Sequence, residues 1–128
     1  MKLTDLNHEE KLALVGFLKI IIQADKEFSE EEAAELNKVA KEMGVPEFKD
    51  AVNEAKKLFV KVGDIKEWSK KIDRQPAREL IFDILYEVAL PGDIVPEEAK
   101  VLGWLAKRWE IPTYKNTKKL DPNDKSLV

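Results

Sequence analysis

Apolar residues recur along most of the chain at the spacing of an α-helix, and short polar or proline-containing segments separate the apolar stretches. The first stretch begins near Asn7 and ends near Gln23. It is apolar on nearly every side, because it contains Leu14, Val15, Phe17, Leu18, Ile20, Ile21 and Ile22. We expect this helix to lie at the centre of a helical bundle.

Capping residues predict where the helices begin and end. Asn7, followed three residues later by Glu10, forms a capping box ahead of the first helix. Ser29 and Glu32 repeat this pattern ahead of the second helix, which Gly44 is expected to end.

Two further helices are predicted before the middle of the chain. Pro46 suits the first turn of a helix that ends at Gly63. Its inner stripe consists of Phe48, Val52, Ala55, Phe59 and Val62. Asp64 and Glu67 form a capping box that predicts a short fourth helix, and the next helix begins at Pro76.

The chain matches itself without a gap when it is shifted by 66 residues, from about Leu14 to Lys115. The matched pairs include Leu14 with Leu80, Val15 with Ile81, Leu18 with Ile84, Ile22 with Val88, Glu32 with Glu98, Leu36 with Leu102 and Pro46 with Pro112. A loop, a helix start and a proline share one register, which favours duplication over chance. We expect one repeat at about 7–63 and a second at about 76–115.

Length and composition agree with one helical domain. A chain of 128 residues with 44% apolar and 37% charged residues is typical of a folded, soluble protein. We therefore predict an all-α fold, a compact bundle of about six or seven helices in two pseudo-repeats. The domain covers residues 1–119, and residues 120–128 form a polar tail.

Charge and composition also narrow the function. A net charge of −3 and a pI near 5.4 argue against a nucleic-acid binder, and the absence of cysteine excludes disulfides and thiolate metal sites. His8 is the one histidine, and no nucleophile with a base or phosphate-binding glycine loop is visible. The longest apolar run is far shorter than a membrane span. We expect a cytoplasmic, non-enzymatic protein without membrane insertion.

Acidic residues cluster where the second helix begins. Asp25, Glu27, Glu31 and Glu32 supply the oxygen ligands that hard cations prefer. The helix dipole and the capping box explain the same glutamates without a metal, so capping is the favoured interpretation for Glu32. It is favoured still more for Glu98, which has no partner aspartate.

These loops resemble the signature of the TerB-like family. Residues 24–32 read Ala-Asp-Lys-Glu-Phe-Ser-Glu-Glu-Glu, which is similar to the family's alanine-aspartate-glycine, apolar residue and glutamate. Residues 90–98 resemble the signature of the family's second half, so the resemblance spans about residues 7–112.

The resemblance implies an all-helical fold, an association with tellurite resistance and other bacterial stress responses, and divalent-metal binding by the acidic loops. It makes Asp25, Glu32 and Glu98 candidate ligands of Ca²⁺, Mg²⁺, Mn²⁺ or Zn²⁺. Two positions depart from the pattern, because Lys26 replaces the glycine and Pro91 stands where the second aspartate is expected. A paired acidic site is therefore incomplete in this chain.

The second repeat carries an acidic row where the first repeat is apolar. Glu79, Asp83 and Glu87 align with Ala13, Phe17 and Ile21. Like charges four residues apart repel each other on a helix, so the row needs solvent, cations or basic partners. A solvated face is the favoured interpretation, and a partner-binding surface is the alternative.

Trp104 replaces Lys38 of the first repeat, so an exposed or interface position is favoured over packing against the tail. A basic region consists of Lys56, Lys57, Lys61, Lys66, Lys70 and Lys71, and we interpret it as a solvated face rather than as a site for an anionic partner.

Two functions follow from the sequence. The first is a non-enzymatic TerB-like domain of a bacterial stress response that binds a divalent cation weakly at its acidic loops. The alternative is a metal-free interaction module that binds a protein partner through Glu79, Asp83, Glu87 and Trp104.

Overall fold

The computed structural model describes residues 1–24, 30–89 and 96–111, and these residues form an all-α fold. Its six α-helices are α1 (His8–Ala24), α2 (Glu30–Met43), α3 (Val45–Leu58), α4 (Val62–Trp68), α5 (Gln75–Ala89) and α6 (Pro96–Arg108). Short 3-10 turns cover Leu3–Asp5 and Ser69–Lys71, and the described ranges contain no strand. The predicted all-helical class and the number of helices are confirmed.

Helix α1 lies at the centre of the bundle, as its apolar sequence predicts. Every residue from 12 to 18 is buried, and α1 contacts α3, α4, α5 and α6. A helix that is packed on most sides has no solvent-exposed face, so its sequence is apolar on nearly every side.

The start of α1 forms the predicted capping box. The backbone N–H of Glu10 donates to Asn7 Oδ1 at 2.8 Å, and the N–H of Asn7 donates to Glu10 Oε1 at 2.8 Å. Both residues are local in sequence, so the pattern alone was sufficient to identify the cap. Gly44 follows the end of α2 with φ of 102°, a conformation that favours glycine.

The predicted junction between the third and fourth helices is wrong. Helix α3 ends at Leu58 rather than Gly63, and α4 already begins at Val62. Asp64 does not precede α4 as its N-cap. It lies in the first turn, where Oδ2 accepts the N–H groups of Val60 at 3.0 Å and Lys61 at 2.9 Å.

This early end of α3 lets the chain turn so that Phe59 packs back into the core. Phe59 is 8% exposed, and its ring meets the Trp68 ring edge to face, with 5.5 Å between the centroids. Tertiary packing therefore overrides the helical period that extends through Val62 in the sequence.

Gly16 allows α1 to approach α4 and the turn before it. A methyl group at Gly16 would lie 2.6 Å from Ile65 Cδ1 and 2.8 Å from Phe59 Cδ2. Both of those side chains are buried. Glycine is therefore required here by space rather than by backbone conformation.

Gly16→Ala and Gly103→Ala are expected to change stability in opposite directions. Overpacking at Gly16 should lower the free energy of unfolding by about 1–3 kcal/mol. Gly103 lies exposed in α6, and a methyl group there would meet no atom within 4 Å, so alanine should raise it by about 0.5–1 kcal/mol. Urea denaturation of both variants measures the two changes, and destabilisation by Gly103→Ala would contradict this explanation.

Among the described residues, no helix combines the length and the apolarity that crossing a membrane requires.

Candidate functional site

Two glutamates occupy matching places in the first turns of α2 and α6. Glu32 is 2% exposed and Glu98 is fully buried, and 66 residues separate them in the sequence. Their neighbours Glu31 and Glu97 are exposed. The sequence pattern identified Glu32 and Glu98 as candidates, and the structure adds that both carboxylates lie inside the protein.

A buried carboxylate must be stabilised by hydrogen bonds or by positive charge, because leaving water is costly for an ion. Both glutamates have interaction partners. Their position in a first helical turn also places them close to the positive end of the helix dipole. Structural capping uses this arrangement directly, whereas a cation bound by the same carboxylates would lie close to the positive end of the dipole.

The described residues do not complete a metal site. Ranges 1–24, 30–89 and 96–111 contain no group of three or more acidic, histidine or cysteine side chains that could hold a metal ion. Asp25, Lys26 and Pro91 lie outside the described residues. A site with three protein ligands that includes Glu32 or Glu98 therefore needs at least one ligand from residues outside these ranges.

The acidic row on α5 faces outward. Glu79, Asp83 and Glu87 are exposed, whereas their neighbours Phe82 and Leu85 are completely buried. This difference explains the change from the apolar row of α1, since α1 is enclosed and α5 keeps one open side. Asp83 also has an interaction partner.

The row continues toward α2 through a groove of about 190 Å³ between α2 and α5. Glu35, Glu42 and Glu87 line this groove together with Lys38, whose Nζ lies 3.1 Å from Glu35 Oε1. We call Glu79, Asp83 and Glu87 with this groove the acidic face.

Trp104 is half-buried and packs beside the core rather than standing clear of it. Lys66 of α4 places its Nζ 4.9 Å from the centroid of the Trp104 ring, which is a cation–π contact. Trp104 therefore borders α4, whereas Glu87 of the acidic face borders α2.

The remaining two tryptophans have structural roles, since Trp68 Nε1 donates to Glu9 O at 3.0 Å and Trp109 Nε1 donates to Ser69 O at 3.1 Å.

The basic region is mainly exposed to solvent. Its lysines are exposed except for Lys66, which is half-buried. Lys71 contacts the Trp68 ring at 4.2 Å from its centroid, and Lys70 pairs with Glu67 at 3.0 Å. Three of the six lysines thus have partners among the described residues.

One feature was not identified from the sequence. An open cavity of about 340 Å³ lies among α1, α2 and α3, and Leu36 and Val52, which the pattern placed in the core, are only half-buried along it. Lys19 and Lys56 also line this cavity. Lys19 and Gln23 bound the apolar run of α1 and both line the cavity, so these two polar residues were the sequence signal of an opening there.

No protein-family model matches this chain, and no curated protein and no solved structure matches it either.

Proposed function

We propose that this chain is a non-enzymatic TerB-like domain of a bacterial stress response that binds a divalent cation weakly at its acidic loops. Helix bounds support the two-repeat arrangement in this proposal. A shift of 66 residues carries α1 to 74–90 and α2 to 96–109, and the corresponding helices are α5 at 75–89 and α6 at 96–108.

The burial of Glu32 and Glu98 is the observation that carries the proposal. Two carboxylates that lie at the same repeat position are both removed from water, whereas the acidic residues beside them remain exposed. Capping requires an acceptor near the helix start, but it does not require the carboxylate to be buried. A bound cation supplies the positive charge that a buried carboxylate favours.

In this proposal the two loops are not equivalent. Asp25 and Glu32 supply two carboxylates at the first loop, which suits Ca²⁺, Mg²⁺, Mn²⁺ or Zn²⁺. Glu98 stands alone at the second loop because Pro91 replaces its partner. Lys26 adds an ammonium group at the first loop, so affinity there is expected to be weak.

Thermal unfolding of the wild type in EDTA and in each of the four ions tests the cation site. A ligand that binds only the folded protein raises the melting temperature, by about 5 °C at ten times its Kd for a chain of this size. Asp25→Ala and Glu32→Gln should lose most of this rise. Glu31→Gln is the matched control, because Glu31 is exposed in the same turn, and it should keep the rise.

A second function is favoured by the acidic face. Three exposed carboxylates in a row, next to a groove lined by two more, form a surface that suits a basic segment of a protein partner. Trp104 was predicted to share this interaction surface with the acidic row. Its ring borders α4, through Lys66, and not the groove between α2 and α5. This function predicts that none of the four ions at millimolar concentration shifts the melting temperature, so the same experiment separates it from the first.

A further inference from the structure

The cavity among α1, α2 and α3 has the composition of a ligand site rather than of a packing defect. Its wall is formed by apolar side chains from all three helices, and its volume of about 340 Å³ falls in the lower part of the range found for small-molecule pockets. Ile22, Leu36, Phe48 and Val52 remain half-buried along it, although the helical pattern places them on inner stripes.

Two lysines give this apolar cavity a positive border. Lys19 of α1 is half-buried and Lys56 of α3 is exposed, and among the described residues no acidic side chain lines the cavity. In the described part of the chain neither ammonium group has an ion-pair partner.

A neighbouring lysine on the same two helices does have a counter-charge. Lys11 of α1 also faces α3, and there Glu47 lies opposite and pairs with it at 3.0 Å. The same two helices thus neutralise a lysine at one end and leave two lysines without a described counter-charge around the cavity.

We propose that this cavity binds an amphipathic anion with one aliphatic chain of medium length and a carboxylate or phosphate head. The apolar wall removes the chain from water, and Lys19 and Lys56 receive the head at the border. The volume suits one such chain. This inference does not depend on the cation site, because it uses none of the acidic loop residues.

Titration calorimetry with sodium decanoate, kept below its micelle concentration, tests the proposal on the full chain. We expect saturable binding of one decanoate per chain, and binding of 1-decanol and decylammonium at least about tenfold weaker, because only the anion gains charge-assisted hydrogen bonds. Decyl phosphate forms a parallel titration, and the tighter of the two anions identifies the head group that the site prefers.

Three variants locate the binding. Lys19→Gln should weaken decanoate about tenfold and leave 1-decanol unchanged, whereas Lys57→Gln, next to Lys56 but outside the cavity, should change neither. Val52→Trp should fill the cavity and abolish binding of decanoate, 1-decanol and decylammonium. If Val52→Trp does not fold, the comparison of Lys19→Gln with Lys57→Gln still decides the result.

Several outcomes would overturn the proposal. These are no decanoate binding at millimolar concentration, equal binding of decanoate and decylammonium, or unchanged binding in Lys19→Gln. A concentration-dependent dimer in the wild type that Val52→Trp converts to monomer would show instead that a second copy of the chain covers the cavity. Sedimentation velocity on both proteins measures this alternative.

Discussion

Trp109→Ala is expected to lower the free energy of unfolding by about 4 kcal/mol, the largest effect of any single substitution considered for this chain. The Trp109 side chain is fully buried, and its ring meets Phe17 of the central helix edge to face, with 6.0 Å between the centroids. Its indole N–H donates to Ser69 O at 3.1 Å. Alanine removes this volume, this aromatic contact and the hydrogen bond together.

Urea denaturation measures this change, with Trp104→Ala as the matched control in the same part of the chain. Trp104 is half-buried, so its truncation should cost less than half as much. Trp109→Phe should recover part of the loss because it keeps an aromatic ring. The recovery should be incomplete because phenylalanine has no N–H to donate to Ser69 O. Equal destabilisation by Trp109→Ala and Trp104→Ala would contradict the difference in burial between the two side chains.

Glu10→Gln is expected to lower the free energy of unfolding by about 2 kcal/mol at pH 7, and this loss should disappear in acid. Glu10 is 1% exposed, and Arg74 donates to both of its carboxylate oxygens, through Nε at 2.8 Å to Oε2 and through a terminal nitrogen to Oε1. Glutamine keeps an acceptor for the capping box of α1, but it removes the charge and replaces the oxygen that accepts from Arg74 Nε with an amide NH2 donor.

The pH dependence follows from the direction of the pKa shift. The hydrogen bond from Arg74 is the main cause that lowers the pKa of Glu10 below its ordinary value of 4.5, and burial opposes it. A carboxyl group whose pKa is lowered by folding stabilises the protein above its unfolded pKa, and this contribution is lost as the pH falls through the folded pKa. The wild type and Glu10→Gln should therefore converge in stability as the pH falls below 4.5.

Urea denaturation at pH 7 and pH 3 measures this convergence. Glu47→Gln is the control near the same end of α1, because Glu47 pairs with Lys11 while its side chain is 62% exposed. Exposed pairs contribute little, so Glu47→Gln should change stability by less than about 0.5 kcal/mol at either pH. A loss at pH 3 as large as that at pH 7 would contradict an ionic role for Glu10.

Local features of this fold could be predicted, and features that depend on distant contacts could not. The Asn7 and Glu10 cap lies within one turn, and the buried face of α1 follows from its apolar spacing. The bond between Glu10 and Arg74 joins residues 64 positions apart, so no local pattern identifies it. The end of α3 was missed because Phe59 leaves the helix to pack against Trp68.

The candidate site likewise has local features that could be predicted and features that depend on distant contacts. Spacing identified Glu32 and Glu98 as first-turn acids, and the acidic row as one face of a helix. Their environments depend on neighbouring helices, which bury the two glutamates and leave Glu79 and Glu87 exposed. The cavity beside Lys19 depends on the distances between three helices, so the polar residues in α1 indicate an opening but not the volume of the cavity.

The proposed cation site is the central claim, and titration calorimetry with Ca²⁺, Mg²⁺, Mn²⁺ and Zn²⁺ at equal ionic strength tests it most directly. The wild type should bind at least one of the four ions at a single weak site. Asp25→Ala and Glu32→Gln should lose the binding heat, and Glu31→Gln should retain it. Heats equal to those of dilution in the wild type, or binding that survives both Asp25→Ala and Glu32→Gln, would contradict the proposed site.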